Sequence, residues 1–135
     1  MTSVTLRVLL VEDESLIAMM AEDMIDMVGH EVVTTAATLE DARTACLRGS
    51  FDAALLDVNL NGESSMPLAT LLKARDIPFA FTTGYGAGGI DADHADKPVL
   101  TKPYALADLE RLLGDFVAQG AGTSSMTSSV DSNRG

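Results

Sequence analysis

Hydrophobic positions along the chain follow two alternating rhythms. Leu6–Val11, LRVLLV, is nearly all apolar and rich in branched residues, which predicts a strand buried on both faces. Over Ser15–Val28 the apolar positions Leu16, Met20, Met24 and Met27 or Val28 recur at helical spacing, and Gly29 follows as a stop. The run HEVVTTA, residues 30–36, predicts a second strand. Thr38 and Asp41 form a capping box with Asp in place of Glu, opening a helix that runs to about Arg48 and stops at Gly49. Ala53–Val58 predicts the third strand. Ser65 and Pro67 open a third helix with Leu68, Leu71 and Leu72 on its inner face. IPFAFTT (77–83) and PVLT (98–101) predict the fourth and fifth strands. Ala105–Ala118 predicts a last helix, with Leu106, Leu109, Leu113 and Phe116 along one side.

Strands alternating with helices at this spacing imply a parallel sheet covered on both faces. The expected fold class is α/β, a flavodoxin-like, doubly wound, five-stranded parallel sheet of order 2-1-3-4-5. One link is weak. Tyr85–Lys97, YGAGGIDADHADK, stands where a fourth helix belongs but carries Gly86, Gly88 and Gly89. Each interior glycine costs roughly 1 kcal/mol of helix stability against alanine. One or two loose turns in a mobile segment are expected there. Gln119–Gly135 is Gly/Ser/Thr-rich without a period and is expected to be a disordered tail behind a single domain of residues 1–118.

Composition narrows the function classes. The 135 residues carry a net charge of −11 with no basic cluster, which disfavours nucleic acid and anionic membranes as partners. No apolar run reaches membrane-spanning length, and the apolar stretch before the first acids is too short for a signal peptide. One cysteine, Cys46, cannot form an internal disulfide. A cytoplasmic protein is the expectation.

The acids matter because of where the strands end. In a parallel sheet all C-terminal strand ends share one edge, where such folds bind ligands. Glu12 and Asp13 leave the first strand, Asp57 the third, Thr82 and Thr83 the fourth, and Lys102 the fifth. Adjacent strands lie about 4.8 Å apart. If the first and third are neighbours, Asp13 and Asp57 meet, and two like charges 4 Å apart repel by roughly 4 kcal/mol at an effective dielectric of 20. A divalent cation removes that conflict, and all-oxygen ligands point to Mg²⁺. The Asp57 carboxylate could then act as a nucleophile on phosphorus, with Lys102 neutralising charge and a threonine hydroxyl bonding a phosphoryl oxygen.

With VEDE after the first strand, LLDVNL at the third, TTG at the fourth and KPY after the fifth, the chain resembles a response-regulator receiver domain over about Leu6 to Val117. The resemblance implies that Asp57 is the phosphoacceptor. It implies that Asp13 is a direct Mg²⁺ ligand, that Glu12 binds the metal through water, and that Asn59 supplies a backbone carbonyl. It makes Thr83 the switch hydroxyl and Lys102 the phosphate-contacting lysine, with a cis Lys102–Pro103 bond. PFAFTTGYG further resembles the signature of the FAT GUY receiver subfamily, carried here by Phe81, Thr82, Thr83, Gly84, Tyr85 and Gly86, with Thr82 where the nickname has Ala. That subfamily implies a histidine kinase of HWE or related type as partner. Two features depart from the family. The usual aromatic switch position is Val99, and the segment from Thr83 to Lys102 is short and glycine-rich. Activation by ordering that loop is expected instead. No output domain follows in the sequence, so the expected output is protein contact or a phosphate sink rather than turnover as an enzyme.

Blander readings stand beside these. Glu12, Asp13 and Glu14 could serve only the N-terminus of the first helix. Asn61 and Gly62 are turn residues. Met19, Met20, Met24 and Met27 read as core, as does Cys46, and His30 and His94 read as exposed. Lys97–Pro98 is a second Lys-Pro pair, and Thr82 rivals Thr83. A receiver-fold adaptor without phosphorylation and a metal-dependent phosphohydrolase are the alternative functions.

Overall fold

In the computed structural model, which describes residues 4–84 and 88–122, the apolar runs become five strands of one sheet. They are β1 (Arg7–Val11), β2 (Glu31–Ala36), β3 (Ala53–Asp57), β4 (Phe79–Thr83) and β5 (Val99–Thr101). Every pairing in this sheet is parallel, as the alternation of elements implies, and the order is β2-β1-β3-β4-β5, the flavodoxin-like one expected. The helices are α1 (Ser15–Met27), α2 (Leu39–Arg48), α3 (Met66–Ala74) and α4 (Leu106–Ala118).

Period-two alternation sends neighbouring strand residues to opposite faces. Val8, Leu10 and Leu55 join α1 and α4 in one core; Leu9, Val11 and Leu56 join α2 and α3 in the other. That two-sided burial is why β1 and β3 read as continuous apolar runs. Each leucine removed from water contributes roughly 1.5–3 kcal/mol.

Local chemistry sets the helix ends. Thr38 Oγ1 accepts from the Asp41 N–H at 3.1 Å, so the cap of α2 forms where the sequence places it. Gly49 closes α2 in the left-handed region at φ 65. A β-carbon on Gly49 would also sit 2.6 Å from the Arg75 guanidinium, whose Nη1 donates to the Cys46 and Leu47 carbonyls at 2.6 and 3.1 Å. Ser65 precedes α3 but does not cap it; its hydroxyl donates to the Val58 carbonyl instead.

Three expectations are corrected. On α1 the buried positions are Ala18, Ala21 and Ile25, while Leu16, Met19, Met20 and Met27 are exposed and Met24 is half-buried. Alanines let the helix sit close to the sheet, which turns the larger side chains toward solvent. On α4, Leu112 is buried and Leu106 is exposed. His94 is buried rather than exposed, and His30 is half-buried.

His94 explains the weak link. Between β4 and β5 the described residues hold a single 3-10 turn, Ala92–His94, in place of a helix. The His94 imidazole lies 6.3 Å from the rings of both Phe79 and Phe81, and its Nδ1 is 2.6 Å from Asp91 Oδ1. An aromatic anchor thus holds the turn against the sheet where glycines forbid a stable helix. Tyr85 and Gly86 lie outside the described residues, as does residues 123–135 of the expected tail. The start of that tail is packed: Ala121 is buried in the α1/α4 core and its N–H donates to the Phe116 carbonyl.

His30 Nδ1 accepts from the Leu6 N–H at 2.9 Å, and burial holds the ring below its ordinary pKa of 6.5. The contact needs a neutral ring, so its stabilisation is present above that ordinary value and is lost as pH falls below it. We expect His30→Ala to cost about 1 kcal/mol at about pH 8. Chemical denaturation should show that deficit shrinking at about pH 5; an equal deficit at both pH values would refute the coupling.

Candidate functional site

Strand register determines which side chains meet. Val11 is opposite Leu56 and Asp57 is opposite Thr82, so Glu12, Asp57 and Thr82 leave three adjacent strands side by side. Thr83 pairs with Thr101, and the Lys102 N–H donates to the Thr83 carbonyl at 2.8 Å, which brings Lys102 to the same edge. The strand exit thus gathers acids that lie far apart in sequence.

Lys102 Nζ lies 3.0 Å from Glu12 Oε1 and 3.0 Å from Asp57 Oδ2, and 4.0 Å from Glu14 Oε1. The lysine side chain is only 10% exposed, Glu12 0% and Asp57 8%, so this is a buried, charge-assisted cluster. Burial drives the Glu12 carboxyl up to about 7; the Glu14 N–H and Lys102 hold it back, and the Asp57 charge adds to the rise. Burial works against the Lys102 charge, but the hydrogen bonds to Asp57 and Glu12 outweigh it and hold the ammonium above its ordinary pKa.

Glu12 also accepts from the Glu14 N–H through Oε2 at 3.1 Å, so it serves the start of α1 as well as the cluster. Asp13 is half-buried, and its Oδ2 accepts from the Asn61 N–H at 2.9 Å. That donor is aimed by a tight hairpin, Asn59–Leu60 against Glu63–Ser64, whose tip places Asn61 at φ 52 and Gly62 at φ 85. The Asn59 N–H donates to Asp57 Oδ1 at 3.2 Å, and the Asn59 side chain accepts from the Gly62 N–H at 2.8 Å.

A cavity of about 680 Å³ opens over the cluster. Asp13, Asp57, Asn59, Thr83 and Lys102 line it, with Ile17, Met20 and Met24 of α1 forming an apolar wing. Thr82 is buried but absent from the lining, which separates the two threonines. Lys97 lies away from the site, its Nζ 5.3 Å above the Phe79 ring. The Lys102–Pro103 bond is cis. Val99 is 37% exposed, at the edge of the sheet.

Two contributors escaped the sequence reading. One is the Asn61 N–H, a backbone group invisible in side-chain patterns; the Asn-Gly turn signal was the available clue. The other is Tyr104, which lines the cavity with its hydroxyl buried and, among the described residues, without a hydrogen-bond partner.

Glu12, Asp13 and Asp57 each offer an oxygen within 4.8 Å of the others. A compact set of hard carboxylate donors fits Mg²⁺ better than a softer metal.

The fold and this edge define a class: a doubly wound α/β protein with an acid, hydroxyl and lysine pocket at its carboxyl end. The response regulator receiver domain family model matches residues 8–113, and the chain belongs to that family. The chain is similar to SdrG from Sphingomonas melonis Fr1 at 42% identity and a TM-score of 0.76, covering 87% of this chain and 99% of that one. It is similar to the PhyR receiver domain of Erythrobacter litoralis at 29% identity and a TM-score of 0.72, covering 84% and 90%. PhyR from Brucella abortus is 28% identical with a TM-score of 0.71, covering 97% of this chain but 53% of that one. No curated protein sequence matches the chain.

Proposed function

We propose that this chain accepts a phosphoryl group on Asp57 from a histidine kinase, with Mg²⁺, and signals by contact with another protein or drains phosphate from the kinase. The observation that carries this reading is the Lys102 ammonium 3.0 Å from Asp57 Oδ2, beside two further carboxylates. In the transfer, an Asp57 oxygen attacks phosphorus as the phosphorus–nitrogen bond of the phosphohistidine breaks, and the electron pair returns to the imidazole. Lys102 neutralises charge on the transferred group, and Thr83, on the cavity wall, offers its hydroxyl to one phosphoryl oxygen. Asp13 and Asp57, with Glu12 through water and the Asn59 carbonyl, are the residues that would hold Mg²⁺. When bound, the ion offsets the negative charge gathered on the carboxylates and the phosphoryl group.

SdrG from Pseudomonas melonis Fr1, 43% identical over 84% of this chain, has a solved BeF3-activated conformation, which supports the same chemistry here. The FAT GUY-type stretch supports a kinase of HWE type. The exposed Leu16, Met19 and Met20 of α1, of which Met20 lines the cavity, offer that kinase an adaptable apolar surface. PhyR from Bartonella quintana is described as an anti-anti-sigma factor, which makes sigma-pathway proteins the first downstream class to test. No described helix is long and apolar enough to cross a membrane, which is compatible with a cytoplasmic location. The receiver domain is taken as residues 1–118, with the packed turn at Ala121 attached to it.

Amide NMR tests the reading without knowledge of the kinase. Mg²⁺ should move the Asp13 and Asp57 signals, and beryllofluoride should then move Thr83 and the segment beyond it. Silence at all three positions would leave a receiver-fold adaptor, and turnover of a phosphoester beyond one equivalent would make the chain a hydrolase.

A further inference from the structure

Tyr104 sits two residues beyond Lys102, with its ring against the α1/α4 core and its hydroxyl buried at the site. A buried hydroxyl without a partner is costly, so a state of the molecule in which it is paired gains stability. Thr82 is close enough to influence it, but the two hydroxyls do not form a hydrogen bond of good geometry. Tyr104, Lys102 and Asp57 line one cavity, and Glu12 Oε1 lies 3.0 Å from that Lys102 Nζ.

Glu12 supplies the complementary need. Its Oε2 is taken by the Glu14 N–H, while Oε1 depends on Lys102, which it shares with Asp57. A phosphoryl group on Asp57 adds negative charge on the Asp57 side and draws the shared ammonium toward it. Glu12 Oε1 then loses its protein donor while the side chain stays fully buried.

We propose that Tyr104 is a positioning residue for phosphorylation: as Lys102 turns to the phosphoryl group, the Tyr104 hydroxyl donates a hydrogen bond to Glu12 Oε1 and holds that carboxylate in place. This rests on the phosphoacceptor reading above. It also links the site to the start of α4, because Tyr104 immediately precedes the loop into that helix. A shift of the hydroxyl toward Glu12 carries the ring with it and transmits the charge state of the site to the α1/α4 side of the sheet.

The test is Tyr104→Phe, which keeps the ring and removes only the hydroxyl. Beryllofluoride with Mg²⁺ is the probe, and thermal unfolding and beryllofluoride affinity are the readouts. We expect the metal-free variant to melt at or above the wild-type temperature, because the unpaired group is gone. The rise in Tm on adding beryllofluoride should be smaller than in the wild type, and affinity for the mimic should fall roughly five-fold, the worth of one hydrogen bond. The chain has only two tyrosines, so a ¹³Cζ-tyrosine spectrum should show the Tyr104 signal moving as beryllofluoride is added to the wild type. An unmoved signal with equal affinity in both proteins would overturn the proposal. An equal drop in Tm with and without the probe would also overturn it, since that marks a packing role. A wild type that does not respond to beryllofluoride at all would overturn the phosphoacceptor reading and this inference together.

Discussion

Asp57→Ala is expected to abolish phosphoryl labelling of this chain, by a phosphorylated histidine kinase or by a small donor such as phosphoramidate. Asp57 is the one buried carboxylate at this edge that both meets Lys102 and lines the cavity. Its neighbours are poor substitutes. Glu12 has both oxygens engaged, and burial favours its protonated form near neutral pH. Asp13 Oδ2 is held by the Asn61 N–H, and no contact joins Asp13 to Lys102 among the described residues. The label should therefore disappear rather than move. Intact-mass measurement reads this directly as the loss of one phosphoryl increment. The variant should remain folded, because removing Asp57 also removes a like charge that raises the Glu12 pKa. A labelled, folded Asp57→Ala protein would sink the assignment.

Lys102→Ala should have the largest effect on stability, and that effect should depend on pH. The lysine is the cation between two buried carboxylates 3.0 Å away on either side. Removing one member of a buried ion pair commonly costs 3–5 kcal/mol, and proton uptake by a carboxyl offsets part of that, so about 2–3 kcal/mol is expected at about pH 8. The Glu12 carboxyl is raised from 4.5 to about 7 in the fold. A raised carboxyl contributes stability that is complete below its unfolded pKa and is lost as pH rises through its folded one. Without Lys102 the Glu12 value rises further, so the variant should lose stability with increasing pH more steeply than the wild type. Denaturant unfolding in EDTA at about pH 5 and about pH 8 checks this, with a small deficit at the lower value and a large one at the higher. Mg²⁺ should recover part of the deficit at the higher pH. Equal deficits at both would show that the lysine acts through packing alone.

Much of the fold was legible because burial on two faces leaves a plain mark. LRVLLV and AALL could be read as strands because both of their faces are covered, and the cap at Thr38 and stop at Gly49 follow from local chemistry. Side-chain size points to the methionines, not the alanines, as the buried stripe of α1. The sheet selected the small residues, Ala18 and Ala21, and left the methionines outside. The burial of His94 is not legible in the sequence because a lone histidine in an acidic, glycine-rich stretch has the composition of a solvated loop. Its burial comes from Phe79 and Phe81, which lie on another element.

The sequence alone determined the kinds of groups and their places at strand ends: acids after β1 and β3, threonines at the end of β4, a lysine after β5. These are local facts, since a strand ends where its apolar run ends. Only the tertiary structure decided how those groups pair. It put Lys102 between Glu12 and Asp57, turned the Asn61 N–H to Asp13, lined the cavity with Thr83 rather than Thr82, and buried the Tyr104 hydroxyl without a partner. Those outcomes depend on register between strands as much as 90 residues apart and on which face each helix presents, and neither is encoded in any short stretch of the chain.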